Sequence, residues 1–284
     1  MHAITMDRRG LLAGLAAVAL APVAAHAQAV SIKVGDRDLG LTVARPATVK
    51  GVVLFSHAAG AAPSAYAALF DLWSRAGFMV VAPLHVDSRQ HPRVADYTLQ
   101  TAFPVRIADL AAAGAFIEKV APDAPVAAAG HSYGSLNAMI RGGALQAMIQ
   151  GRDPATRAVL AFSSPGIIPG LIGPGAFADL TAPLMMVTGD RDVMPGFIPE
   201  ASAHLVPFET SPAGDKYLWV GKGVDHFFGN AIIGAGKDPA QSAAFDQAAA
   251  LSIVYLRATL LDDAEARAAL ATQASTSLAT FRAR

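Results

Sequence analysis

The chain has no cysteine among its 284 residues, which excludes disulfides, thiolate metal sites and a cysteine nucleophile together and leaves packing to supply the stability. It has no excess of either charge. Lys and Arg number 22, Asp and Glu number 22, and charged residues make up only 15% of the sequence. No summed field is available to gather nucleic acid or an anionic membrane surface, so a small neutral partner is expected. The longest uncharged apolar run, Leu11 to Ala25, is about 15 residues against the roughly 20 of a bilayer-spanning helix. What is abundant is small apolar side chains: with 53% hydrophobic residues the chain is not disordered, and its alanines imply a large, helix-covered interior. The length suits one large α/β domain.

The N-terminus reads as an address. Asp7-Arg8-Arg9-Gly10 precedes the apolar run, and Ala25-His26-Ala27 has the small-x-small form that a signal peptidase cuts. Residues 1–27 are therefore expected to be a signal peptide, with export to the periplasm or beyond, and residues 28–284 a single domain with no stable membrane anchor after cleavage. The paired arginines fit a twin-arginine signal and also an ordinary charged leader.

Beyond it, Ala29 to Val34 and Leu39 to Ala44 flank a Gly-Asp-Arg-Asp turn, as in an edge hairpin. The pattern then changes to continuous apolar strands alternating with helices: strand 51–56 and helix 63–76, strand 78–82 and helix 103–120, strand 125–129 and helix 135–150. Further strands are expected at 158–162, 183–188 and, last, 217–220, with a helix at 239–261 and a peripheral helix or fraying after Asp262. Buried strands alternating with helices imply a mostly parallel twisted sheet covered on both faces. The Gly- and Pro-rich stretch from Ser163 to Pro174 leaves little room for a cap domain, so the ligand edge of the sheet is expected to be open.

Gly130-His131-Ser132-Tyr133-Gly134 follows a strand and opens a helix, the setting in which G-x-S-x-G forms a strained turn with its serine standing clear of the sheet. A serine hydroxyl is a weak nucleophile at neutral pH and needs an imidazole that a carboxylate holds in one tautomer. Both follow in the order serine, acid, histidine: Asp192, preferred over Asp190, ends the strand-turn Met185 to Asp192, and His226 lies in a glycine-flanked loop after the last strand. Asp225 adjoins His226 and points elsewhere. The oxyanion of a tetrahedral intermediate needs fixed donors, for which the backbone N–H groups of Tyr133 and Ala59 are the candidates.

These segments, with Phe55-Ser-His-Ala-Ala-Gly60 and Gly77-Phe-Met-Val-Val-Ala-Pro83, resemble α/β-hydrolases of the dienelactone hydrolase and platelet-activating-factor acetylhydrolase-like group over nearly the whole mature chain. The resemblance implies the α/β-hydrolase fold with little or no cap and a Ser132, His226, Asp192 triad. The family's third strand usually ends in Ser-His-Gly, where this chain has Ala58. Dienelactone hydrolases proper carry a cysteine nucleophile, so that particular activity is not expected. Hydrolysis of a small neutral ester through an acyl-enzyme is the expected chemistry, with no cofactor and no metal. Amide or peptide hydrolysis, acyl transfer on the same triad, and an inactive periplasmic binding protein on this fold stay open. Tyr66, Phe162, Phe197 and Phe227 are candidate walls of an acyl pocket. His85, Asp87 and His91 lack the spacing of a zinc motif and read as a solvated loop, and Arg106 and Asp109 as a structural i, i+3 pair.

Overall fold

The computed structural model describes residues 27–168, 172–236 and 238–284. The expected signal segment lies outside the described residues except for Ala27, which opens the first strand. Nine strands form one sheet: β1 Ala27–Val34, β2 Arg37–Ala44, β3 Gly51–Ser56, β4 Phe78–Pro83, β5 Val126–His131, β6 Thr156–Phe162, β7 Leu184–Gly189, β8 Lys216–Gly221 and β9 Ala279–Ala283. Their spatial order is β1-β2-β4-β3-β5-β6-β7-β8-β9. The block from β4 to β8 is parallel, and β1, β2 and β9 run antiparallel at the margins.

Among the described residues six helices cover it: α1 Ala67–Arg75, α2 Leu99–Val120, α3 Tyr133–Gly142, α4 Val206–Thr210, α5 Pro239–Leu260 and α6 Ala264–Thr272. Because successive strand residues point to opposite faces, each central strand feeds two cores. Val53, Phe55, Val80, Leu160 and Met185 pack with Trp73 of α1 and Tyr255 of α5. On the other face, Val52, Leu54 and Val81 meet Leu110 and Ile117 of α2, while Ala128, Val159 and Met186 meet Met139 and Ile140 of α3. Each such side chain larger than alanine contributes about 1.5–3 kcal/mol by leaving water.

Three elements differ from the sequence reading. Helix α2 starts at Leu99, ahead of the expected Phe103, because Thr98 and Thr101 close a reciprocal cap, each hydroxyl accepting the other residue's N–H. Helix α3 ends at Gly142, well before Gln150. Gly143 stops it in the left-handed region at φ 118°, with the Asp179 carbonyl packed where a side chain would begin. The tail after Asp262 forms the expected peripheral helix, α6, and then β9, which was not expected and pairs with β8, so 217–220 is not the last strand. Phe281 stacks on Tyr217 there, an edge contact too short to show as a pattern.

The chain winds outward in one direction through β4 and in the other through β5, and so changes sense between β3 and β5. The loops after these two strands splay apart at their carboxyl ends, where open α/β sheets hold ligands. Between β6 and β8 the connections carry only short turns and α4, so among the described residues no cap domain covers this edge.

Candidate active site

Ser132 sits at φ 54° and ψ −122°, between the end of β5 and the start of α3, a conformation that is strained for any residue but glycine. The strain is imposed by close packing. A Cβ on Gly130 would lie 2.3 Å from the Gly134 backbone, and one on Gly134 would lie 1.9 Å from the Ser56 carbonyl oxygen, so the turn closes only with glycine at both positions. The Ser132 N–H is held by the Phe162 carbonyl at 2.9 Å.

The loops after β7 and β8 are fastened together. The Asp190 and Arg191 N–H groups donate to the Gly221 and Val224 carbonyls, and the Gly223 N–H donates to the Asp190 carboxylate at 2.6 Å. Asp190 is thereby a backbone tie. Asp192, fully buried, faces the histidine: His226 Nδ1 donates to its Oδ1 at 2.6 Å, and Thr188 Oγ1 donates to its Oδ2 at 2.7 Å. Asp225 points away and accepts the N–H groups of Phe227 and Gly229. The remaining ring nitrogen of His226, Nε2, is buried with no partner among the described residues.

A directional chain of hydrogen bonds joins the histidine loop to the other two loops of the site. His131 Nε2 donates to the His226 carbonyl at 2.9 Å, His131 Nδ1 accepts from the Tyr66 hydroxyl at 2.9 Å, and the Tyr66 oxygen accepts the Ala58 N–H at 3.2 Å. The Ala58 N–H is thus occupied. The Ala58 carbonyl is turned inward, accepting from Arg106 Nη2, His57 Nδ1 and the Ala61 N–H. In a trans peptide the N–H points opposite to the carbonyl, so the Ala59 N–H faces outward, and it has no acceptor among the described residues. Tyr133, as the first residue of α3, likewise has an N–H with no acceptor inside its helix.

Beneath this loop lies a polar cluster, of which the sequence reading placed His85 and Asp87 in solvent. His85 and Asp87 are buried. Arg106 does not pair with Asp109: it forks onto Asp87 at 2.8 and 2.9 Å, donates to the His57 carbonyl at 2.8 Å, and lies 4.5 Å from the centre of the Tyr133 ring. Asp109 pairs instead with Arg37 and with His85 Nδ1, whose Nε2 accepts from Ser56. Ser56, His85 and Asp109 copy the donor order of a catalytic triad. All three are sealed from solvent, and Ser56 Oγ also receives Arg106 and Asn137, so the chain braces the loop and offers no nucleophile.

Two of the four expected pocket walls are core residues: Tyr66 and Phe162 are wholly covered by the packing of α1 and β6. Phe227 and Phe197 do reach the surface. The sequence reading missed His204 and Thr188. His204 is buried, with Nε2 3.0 Å from Asp192 Oδ1 and Nδ1 against the Ser164 carbonyl. Donor atoms of Asp192, His204 and His226 all lie within 4.8 Å of one another. His226 Nδ1 hydrogen-bonds the carboxylate, whereas His204 Nε2 lies 3.0 Å from it without forming a hydrogen bond.

No family model matches the chain, nor does any curated protein sequence. Solved structures do. A dienelactone hydrolase from Anabaena variabilis superposes with a TM-score of 0.61 at 19% identity, covering 83% of this chain and 98% of its own. The chain has the α/β-hydrolase fold. An alpha-beta serine hydrolase homologue from Coxiella burnetii aligns at TM-score 0.56 and 15% identity over 73% of this chain and 92% of its own. A cold-adapted esterase from an Arctic intertidal metagenomic library aligns at 0.56 and 18% over 82% and 93%. The α/β-hydrolase fold thus covers most of the described chain, with the switch point of its sheet at the Ser132 turn.

The buried rings set an acid limit on stability. Burial is the main reason that His131 falls to a pKa of about 3, and burial, followed by the Arg106 charge, holds His57 and His85 well below the usual histidine value. Their folded values lie below the unfolded one, near 6.5, so the unfolded chain binds more protons below that pH. Their stabilisation is complete above about pH 6.5 and declines as pH falls toward the folded values, by up to about 1.4 kcal/mol per pH unit for each ring. Burial pushes the Asp192 carboxyl up, but the neighbouring His204 and His226 rings outweigh it and hold the group far below the carboxylate range. Its contribution is lost only below about pH 4. Urea unfolding at steps between about pH 7 and 4 should show a steadily falling midpoint; a flat profile would mean that these rings are not kept neutral by the fold.

Proposed function

We propose that the protein is a serine hydrolase of small, neutral, apolar carboxylic esters, with Ser132 as nucleophile, His226 as general base and Asp192 as its orienting acid. The observation that carries this reading is the 2.6 Å contact of His226 Nδ1 with Asp192. It fixes the proton on Nδ1 and leaves Nε2, buried and unpartnered, as a base in a loop that His131, the residue before the strained serine, holds through the His226 carbonyl. Ser132 Oγ attacks the ester carbonyl as its proton passes to His226 Nε2. The Ala59 and Tyr133 N–H groups receive the oxyanion. The alkoxide leaves with the proton from His226, and water, activated by the same base, releases the acid.

The surroundings favour an apolar acyl group. Leu99, Val193, Phe197 and Phe227 are exposed large apolar residues. Leu99 takes the Tyr133 hydroxyl on its carbonyl, Val193 and Phe227 adjoin Asp192 and His226, and Phe197 sits in the turn just beyond. A rim of this kind suits an uncharged chain better than a polar or peptide substrate. As an exported protein, the chain would meet such esters outside the cytoplasm.

A fluorophosphonate probe should attach to the tryptic peptide containing Ser132, and a series of chromogenic esters should be cleaved with a preference for short to medium acyl chains. Absence of both labelling and turnover would sink the proposal and leave a binding protein on this fold. Faster cleavage of matched amides would favour amidase action.

A further inference from the structure

Arg106 is wholly buried beneath the loop that carries Ala59, and its guanidinium faces two ways. Nε and Nη2 hold the two oxygens of Asp87 at 2.8 and 2.9 Å, which by themselves complete an ion pair. The fork is also turned on backbone: Nη1 donates to the His57 carbonyl at 2.8 Å, and Nη2 donates to the Ala58 carbonyl at 3.3 Å. The guanidinium carbon lies 4.5 Å from the centre of the Tyr133 ring. One cation is therefore in contact with the peptide group that ends in the Ala59 N–H and with the side chain of Tyr133. The Ala58 carbonyl and the Ala59 N–H belong to a single planar unit, so a donor that pins the first inward aims the second outward. Ala59 is exposed where Ala58 is buried, as that aim requires. A hydrogen bond received at the carbonyl also polarises the unit and makes its N–H a stronger donor. The Ala61 N–H, at 3.1 Å, and His57 Nδ1, at 2.8 Å, bring dipoles to that carbonyl, and Arg106 brings a full charge.

We propose that Arg106 is a positioning residue of the oxyanion hole: it fixes and polarises the peptide joining Ala58 and Ala59 and seats the Tyr133 side chain, so that both N–H groups meet the oxyanion. This role rests on the reading of Ala59 and Tyr133 as oxyanion donors for ester hydrolysis at Ser132. Arg106 itself touches no reacting atom. A lysine would neutralise Asp87 but has no planar fork to reach the two carbonyls at once. Donation to the substrate oxygen strengthens as negative charge develops there, so loss of the aim should slow the chemical step and leave substrate binding nearly as it was.

Matched oxygen and thiono esters provide the test, because a developing sulfur anion takes weaker hydrogen bonds from the same donors. Wild-type protein should prefer the oxygen ester by a wider margin than hydroxide ion does. In folded Arg106→Met, kcat for the oxygen ester should fall by about 10²- to 10³-fold with KM nearly unchanged, and the preference should shrink toward that of hydroxide. Arg106→Lys, which keeps a cation against Asp87, should move both quantities in the same direction. An arginine that only braced the core would, when replaced, slow both esters alike, so an unchanged preference in either folded variant overturns the inference alone. In wild-type protein, formation of the phosphonate adduct on Ser132 should move the Ala59 amide proton and the Arg106 guanidinium protons downfield together; guanidinium signals that stay in place overturn the inference even where neither variant folds. A wild-type protein that takes no fluorophosphonate at Ser132 overturns this role together with the hydrolase reading.

Discussion

Replacing Ser132 by alanine should lower kcat for a chromogenic ester by about 10⁴- to 10⁶-fold, leaving the melting temperature within a few degrees of wild type. The activity falls because the hydroxyl proposed to carry the acyl group is gone. Ser56, the other serine with a histidine and an aspartate behind it, is sealed from solvent. Stability survives because Ser132 already occupies the left-handed region, and alanine at φ 54° meets the same strain and no new atom. Asp192→Asn should give a loss of about 10⁴-fold, since an amide on His226 Nδ1 allows the wrong tautomer. It should also lower stability, because Thr188 and His226 lose the carboxylate they share. The double variant should be little worse than Ser132→Ala alone, because residues of one relay act as a unit. Single-turnover rates on the three proteins would check this, and multiplicative losses would show that serine and aspartate do not serve one chemical step.

The parts of this site that were legible in the sequence are those with a local cause. The turn around Ser132 is written in two glycines and a strand before it, and the acid and base follow strands whose apolar runs are unmistakable. Side chains that meet across the sheet were not legible in the same way. His204 lies in a short turn with no periodicity and reaches Asp192 only because the segments after β6 and β7 pack backbone to backbone at Gly166. The Arg106 cluster did leave a trace. Ala102, Arg106, Asp109, Leu110, Ala113 and Ile117 are the buried stripe of α2, so both charges fall on the inward face at helical spacing and need buried partners. Reading them as a structural pair with each other overlooked the partners that the stripe requires, Asp87 for Arg106 and Arg37 with His85 for Asp109, and so His85 and Asp87 were left in solvent. Tyr66 was misplaced for a related reason: it shares its stripe with Leu69, Phe70 and Trp73, which face the sheet.

Gly134→Ala should unfold or nearly unfold the protein, with a loss above about 4 kcal/mol, whereas Gly35→Ala should cost only about 1–2 kcal/mol. The contrast separates two ways in which glycine is required. Gly35 has φ +57° in the hairpin turn between β1 and β2, and a Cβ there meets nothing within 4 Å, so alanine adds backbone strain alone. At Gly134 the new carbon would fall 1.9 Å from the Ser56 oxygen, 2.4 Å from its carbonyl carbon and 2.7 Å from the His57 oxygen. All three are backbone atoms at the end of the central strand β3, which cannot swing aside as a side chain could. Relief requires α3 to lift from β3 by about 1 Å, which opens the packed layer of Leu136, Met139 and Ile140 and trades close contacts for voids. The same shift carries the Tyr133 N–H and Ser132 away from the Ala59 loop, so any folded fraction should be slow as well as scarce. Urea unfolding of the two variants, with kcat measured on whatever remains folded, would check the argument; a stable and active Gly134→Ala protein would mean that α3 does not seat on the end of β3 and that the serine turn is held open by something else.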